Sequence, residues 1–232
     1  MNYAIVLSGG TGTRSGLKVP KQYYEVNNKP IIRYVVDTIE KCGEVDGVVI
    51  VAASEWHEYL SRHLASSEKF LGFAEPGENR QLSIYNGLCF LKKRLSINDN
   101  DLVLIQDAAR PNTSLGCILS CLSIADDEDG AMPVLPMKDT VYASETGKIV
   151  SGLLDRNTLF AGQAPESFRF GKYLAANEVL LPDKILEING STEPAILAGM
   201  NICMIPGDEG NYKITTSADL HRFEKEFQQK IY

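Results

Sequence analysis

Positive charge is scarce in this sequence. Lysine and arginine total 23 against 30 aspartates and glutamates, so 232 residues carry a formal net charge of −7. An acidic surface of this kind cannot displace counterions from a duplex backbone, which excludes nucleic acid as a general partner. Long apolar runs are also missing: none reaches the roughly 18 residues that a membrane span needs. The start, MNYAIVLSGG, lacks a basic n-region and a long apolar stretch, which predicts a cytoplasmic protein with no membrane partner. The five cysteines (Cys42, Cys89, Cys117, Cys121, Cys203) are odd in number and dispersed through apolar segments, which argues for reduced thiols rather than a disulfide framework. Cys117 and Cys121 stand four apart, but no further Cys or His at close spacing completes a metal set. The three histidines, His57, His63 and His221, fall at helical positions that face solvent and do not suit a general base. Composition is otherwise that of a globular chain, 44% hydrophobic and 23% charged.

What is present is an alternation. Tyr3–Ser8, Gly47–Ala53, Lys69–Ala74, Leu102–Gln106 and Gly130–Leu135 read as strands, several apolar on both faces. Between them Pro30–Cys42, Asn79–Leu95 and Ser114–Asp126 carry helical periodicity. The pattern predicts an α/β fold: one domain over 1–232 with a Rossmann-like, mainly parallel sheet flanked by helices. Ligands in such sheets sit beyond the carboxyl ends of the strands. The alternation breaks near residue 138, where Asp139–Ser144 and Ile149–Leu154 read as a hairpin. A hairpin that cannot bury both faces alone is expected to pack on a second copy, making 138–160 a dimerisation arm of a homodimer. Helices near Gly171–Leu181 and Glu193–Gly199, a strand Asn201–Pro206 and a last helix capped by Ser217 complete the expectation.

The first strand runs into Ser8-Gly9-Gly10-Thr11-Gly12-Thr13-Arg14-Ser15-Gly16, then Pro20-Lys21-Gln22. Four glycines in nine residues let backbone N–H groups turn toward a ligand, which suits phosphate. The P-loop pattern fails because Arg14 falls where its second glycine is required. The dinucleotide pattern fails at Ser15, and Ala52 and Ala53 stand where an acidic residue should end the second strand, which disfavours an oxidoreductase.

Leu7-Ser8-Gly9-Gly10-x-Gly12-Thr13-Arg14 with Lys21 downstream resembles the signature of sugar nucleotidyltransferases. Gly77-Glu78-Asn79-Arg80 with Ser83, Asp107-Ala108-Ala109-Arg110-Pro111, Lys138-Asp139-Thr140, Asp155-Arg156 and Lys213-Ile214-Thr215 follow in order. Together they resemble the cytidylyltransferases that act on 2-C-methyl-D-erythritol 4-phosphate and on ribitol 5-phosphate. The resemblance implies CMP transfer from CTP to a polyol phosphate with Mg²⁺ as cofactor and release of pyrophosphate. Arg14, Lys21 and Lys213 would be the catalytic cations. Leu7, Ser8, Gly9, Gly10, Gly12, Thr13, Gly77, Glu78, Arg80 and Ser83 would bind CTP. Asp107, Arg110, Thr140, Arg156 and Thr192 would hold the acceptor, Asp107 would also take the metal, and the arm would bring Thr140 and Arg156 across a dimer. No nucleophile–base pair is needed, because the acceptor phosphate is already an anion.

Three departures fall on the acceptor side. Ala164 stands where the resemblance has threonine, Glu166 where it has glutamine, and Pro194 follows Thr192-Glu193 at a helix start. They make the acceptor the less defined partner: Glu55-Trp56 and Gln163 resemble the ribitol-phosphate branch and favour an alditol phosphate such as ribitol 5-phosphate, while Asp107-Ala108-Ala109-Arg110-Pro111 resembles the 2-C-methyl-D-erythritol 4-phosphate branch, the alternative. The departures also keep open a catalytically silent nucleotide-binding protein.

Overall fold

A computed structural model describes residues 1–10 and 19–229. Its strands and helices, in chain order, are β1 (Asn2–Leu7), β2 (Glu25–Val26), β3 (Lys29–Pro30), α1 (Ile31–Lys41), β4 (Gly47–Val51), α2 (His57–Leu64), β5 (Phe70–Ala74), α3 (Arg80–Arg94) and β6 (Leu102–Asp107). The second half adds α4 (Leu115–Leu122), β7 (Gly130–Pro136), β8 (Val141–Ala143), β9 (Gly152–Leu154), β10 (Phe160–Gly162) and β11 (Glu166–Arg169). It closes with α5 (Phe170–Glu178), α6 (Glu193–Leu197), β12 (Ile202–Pro206) and α7 (Ser217–Gln229).

Among the described residues the main sheet has eight strands in the order β10-β7-β11-β6-β1-β4-β5, with β12 on the other side of β7. β1, β4, β5 and β6 are mutually parallel, and β12 is parallel to β7, whereas β10 and β11 run antiparallel to their neighbours. This is the expected mainly parallel α/β sheet. β4 and β6 are buried along their whole length, which is why Val48–Val51 and Leu102–Ile105 read as continuous apolar runs rather than alternating ones. One face packs under α1, α2 and α4 through Ile32, Val36, Leu60 and Ile118; the other lies under α3 and α5 through Ile84, Leu88, Tyr173 and Leu174. Each such side chain contributes about 1.5–3 kcal/mol by leaving water. α7 docks on α1 through Ile31, Tyr34, Leu220 and Phe223.

Register does the positioning. Leu7 pairs with both Val51 and Asp107, and Val51 pairs with Ala74, so four parallel strands end level with one another. The loops that leave them therefore start from one edge of the sheet.

The hairpin is present but shorter than the sequence suggests: Val141–Ala143 pairs with Gly152–Leu154 as a separate two-stranded sheet. Other expectations need correction. The helix read over Ser114–Asp126 ends at Leu122, with Ser114 as the N-cap accepting from Cys117 N. The last helix is capped by Thr216, not Ser217: the Thr216 hydroxyl accepts from Asp219 N, and the Asp219 carboxylate accepts from the N–H of Thr216 in return. The segment Gly162–Phe168, read only as a motif, supplies the antiparallel strand between β6 and β7. α2 is the helix on which His57 and His63 are expected, and it buries Leu60 and Leu64. No helix among the described residues is long and apolar enough to cross a membrane.

Candidate active site

The glycine turn is built from below. Ser8 N donates to Val51 O (2.9 Å), continuing the β1–β4 ladder for one more residue. The Gln22 amide then donates to both Ser8 O and Gly10 O, each at 2.7 Å, which pins the turn at two points. Tyr23 and Ser8 exchange further hydrogen bonds at 2.8 and 3.0 Å, and the buried Tyr23 ring rests 4.4 Å from Trp56. A Cβ on Gly9 would come within 2.6 Å of Pro76, so only glycine lets this turn press on the neighbouring loop. Gly12, Thr13 and Arg14 lie outside the described residues.

The neighbouring loop is the Gly77–Ser83 segment. The Asn79 side chain caps α3 by accepting from Leu82 N (2.8 Å). The Ser83 hydroxyl accepts from Gly77 N (3.0 Å) and donates to Asn79 O (2.8 Å), so it braces the loop that it lines. Arg80, at the first turn of α3, is thereby aimed at the third loop.

That third loop starts at Asp107, the buried end of β6. Lys213 Nζ lies 3.0 Å from Asp107 Oδ2, Arg110 Nε lies 3.4 Å from the same oxygen, and Arg80 Nη2 lies 3.2 Å from Oδ1. Burial by itself would push the Asp107 carboxyl up, but Arg80, Lys213 and Arg110 outweigh it and hold the group well below the usual carboxylate range. One carboxylate thus gathers three cations from three separate stretches of chain. Lys213 arrives because Ile214 N donates to Ala109 O (2.8 Å) and Arg110 Nη1 donates to Asn211 O (2.6 Å).

The three loops enclose a cleft of about 550 Å³. Leu7, Gly9, Gly10 and Lys21 line it from the first loop; Gly77, Glu78, Arg80 and Ser83 from the second; Asp107 and Lys213 from the third. Cations on one side and glycine backbone on the other give the cleft the chemistry of a polyphosphate site.

The remaining predicted residues stand apart. Ser8 and Arg110 sit behind the cleft wall, where they hold the turn and Asp107. Thr192 is not among the residues that line the cleft: its hydroxyl meets Glu166 (3.3 Å) and Met132 Sδ (3.4 Å). Thr140 and Arg156 line a different recess of about 460 Å³ on the hairpin, with Leu153 and Leu154. Arg156 Nη1 donates to Lys138 O (2.9 Å).

Sequence reasoning missed a layer of buried amides. Gln106 Nε2 donates to Thr113 Oγ1, which donates to Asn211 Oδ1, and Asn211 Nδ2 donates to Ala164 O, each within 3.0 Å. This chain holds the 208–211 turn that delivers Lys213. Its one signal is Gln106, a polar residue that directly follows the apolar run Leu102–Ile105.

Known proteins resemble this chain in sequence and in fold. The profile of the IspD family, 2-C-methyl-D-erythritol 4-phosphate cytidylyltransferase, matches residues 2–229. The chain belongs to this family. A 2-C-methyl-D-erythritol 4-phosphate cytidylyltransferase from Clostridium perfringens strain SM101 is 31% identical over 219 residues, covering 94% of each chain. A ribitol-5-phosphate cytidylyltransferase from Lacticaseibacillus paracasei is 27% identical over 231 residues, covering 98% of each. In fold, the crystal structure of 4-diphosphocytidyl-2C-methyl-D-erythritol synthase from Anaerococcus prevotii superposes with a TM-score of 0.81 at 21% identity, over 98% of this chain and 96% of that one. Members of the family are CTP-dependent nucleotidyltransferases, and membership makes this chain a cytidylyltransferase whose substrates are CTP and a sugar phosphate.

Proposed function

We propose that the cleft binds CTP and that the protein transfers CMP to the phosphate of a small polyol phosphate, releasing pyrophosphate. The observation that carries this reading is the convergence of Lys21, Arg80 and Lys213 on one cleft with the glycine turn and Asp107. An acceptor phosphate oxygen forms the new bond to the α-phosphorus while the bond from that phosphorus to the β-bridging oxygen breaks. The electrons leave on pyrophosphate. Repulsion between two anions is the obstacle, so fixed cations supply both alignment and stabilisation of the crowded phosphorus. Lys213 and Lys21 would take that role, and Arg14 is the third cation that the family resemblance assigns to it. The backbone of the Ser8–Gly10 turn and Gly77 would read the nucleoside, with Glu78 and Ser83 beside it.

Magnesium fits the donor set in one way. Asp107 is a hard oxygen ligand facing the cleft, but both its oxygens already meet cations, so it would hold an ion that arrives with triphosphate oxygens as its other ligands. Such an ion would reduce the negative charge that the acceptor must approach.

The hairpin would act as an arm that pairs two copies. Support comes from its bare apolar side chains, with Ile149 74% and Leu153 67% exposed, and from Thr140 and Arg156 lying away from their own chain's cleft. A partner's cleft is then where these two residues would meet an acceptor phosphate, and a cytoplasmic location suits an enzyme supplied with CTP.

Among polyol phosphates, 2-C-methyl-D-erythritol 4-phosphate comes first because the matched profile and several relatives carry that name. A second reading, an alditol phosphate such as ribitol 5-phosphate, is favoured by Glu55-Trp56 and Gln163 and by the ribitol-5-phosphate cytidylyltransferase among the relatives. Incubation with CTP, Mg²⁺ and both acceptors, read as pyrophosphate release and the CDP-alcohol formed, tests the reading. Release with one acceptor names the substrate. Intact CTP binding with no release from any polyol phosphate would replace it with a silent nucleotide-binding protein.

A further inference from the structure

Among the described residues, Glu166 is a buried carboxylate that the mechanism above does not use. Glu166 opens β11 with 8% of its surface exposed. It stands opposite Ile105 in the antiparallel β11–β6 pair, so it shares a sheet face with Ile105 and with Asp107 two residues on. Diagonal neighbours of this kind lie roughly 7–8 Å apart, a gap that accommodates one guanidinium. α3 packs on that same face, and its first residue is Arg80.

Glu166 accepts hydrogen bonds from two hydroxyls, Ser191 Oγ and Thr192 Oγ1. These neutral donors do not offset a buried negative charge. Burial pushes its carboxyl up, and Arg80 is the cation that pulls it back; in the other direction Asp107 and Glu166 together raise the pKa of Arg80 against its own burial. Asp107, meanwhile, must also serve Lys213 and Arg110. When phosphates enter the cleft and compete for those cations, a guanidinium held only by Asp107 would be free to swing.

We propose that Glu166 is a positioning residue that holds Arg80 from behind, so that a carboxylate–guanidinium–carboxylate row, Glu166–Arg80–Asp107, keeps Arg80 aimed into the cleft when nucleotide binds. The inference rests on the cleft being the CTP site. It assigns a role to a residue that does not touch substrate, and to the point at which the sequence departs from the glutamine of its resemblance.

Calorimetric titration of CTP with Mg²⁺ tests it without any acceptor. Glu166→Gln keeps the size and an accepting oxygen for one of the two hydroxyls but removes the charge. It is expected to weaken CTP binding about tenfold by removing the through-space attraction between this carboxylate and the guanidinium. Arg80→Met should weaken binding as well, and the double variant should be no weaker than Arg80→Met alone. Ser191→Ala, which removes a hydroxyl anchor and leaves the charge, should stay within about twofold of the parent. Unchanged or tighter binding in Glu166→Gln would overturn the proposal, since a carboxylate that merely subtracts charge from the cleft predicts tighter binding. So would a loss that persists in full on the Arg80→Met background, or a loss in Ser191→Ala equal to that of Glu166→Gln. If Glu166→Gln does not fold, Glu166→Asp retains the charge at shorter reach, and its loss must likewise vanish with Arg80→Met. Failure of the parent protein to bind CTP would instead remove the nucleotide-site reading, an outcome separate from any difference between variants.

Discussion

The cleft and the hairpin are held in opposite ways. Around the cleft, polar groups are tied down before a ligand arrives: Gln22 grips two carbonyls of the glycine turn, Ser83 braces its own loop, and Asp107 gathers three cations. The hairpin makes few such ties and bares Tyr142, Ile149, Val150 and Leu153 to solvent. A site that must align anions gains from groups that need no reorganisation. A surface left apolar on both sides is instead a place for another protein surface. The difference separates a cleft whose polar groups are already paired within one chain from a hairpin whose apolar side chains are bare.

Five substitutions break or sharpen that contrast. Lys213→Ala should lower turnover about 10²–10³-fold, the usual effect of removing one preorganised charge-stabilising group. Its melting temperature should stay close to the parent's, because Arg80 and Arg110 still neutralise Asp107. Near-normal pyrophosphate release would show that the cleft's prearranged charge is not what drives the reaction.

On the hairpin, Arg156→Ala should leave CTP binding intact and raise the acceptor KM about tenfold or more, as loss of a charged phosphate contact does. Mixing it with Lys21→Ala chains should restore part of the activity in hybrid dimers. Leu153→Asp should sediment as a monomer while keeping its fold. A dimeric Leu153→Asp would move the assembly surface elsewhere.

Gln22→Ala loses both grips on the glycine turn and should weaken CTP binding about fivefold to tenfold, measured by calorimetry. Equal affinity would mean that the turn forms without its clamp.

The smallest effect concerns the cap of α7. Asp219 accepts from Thr215 N and Thr216 N and from both hydroxyls, and these bonds outweigh the upward push of burial to hold its carboxyl at about 2. Asp219→Ala should cost about 1 kcal/mol of stability by denaturant titration. Because the folded pKa is depressed, that contribution is complete above the ordinary carboxylate range and is lost as pH falls toward about 2. The difference between parent and variant should therefore shrink in acid.

Legibility in the sequence followed the kind of force at work. β4 and β6 were readable because strands buried on both faces must be apolar throughout, and α1 because Ile31, Ile32, Val35, Val36 and Ile39 mark one stripe. The glycine turn and Asp107 were readable because chemistry restricts residue type there. β10 and β11 were not, since three- and four-residue strands joined through Ala164-Pro165 carry too few positions for a period to show. Ser114–Asp126 was read too long because hydrophobicity continues after the helix has ended at Leu122. Thr216 was passed over for Ser217 because both can cap, and only the reciprocal bond to Asp219 decides between them. The contact of Thr192 with Glu166 spans 26 positions, and no local pattern encodes such a distance.

The stacking beneath the glycine turn has one more consequence. Trp56 is the sole indole in the chain, and its ring lies 4.4 Å from that of Tyr23, whose hydroxyl is bonded to Ser8. Any shift of the turn on loading is passed through a single phenol to a single fluorophore. The emission of Trp56 should therefore change when the cleft is loaded, a readout of occupancy that needs no added label.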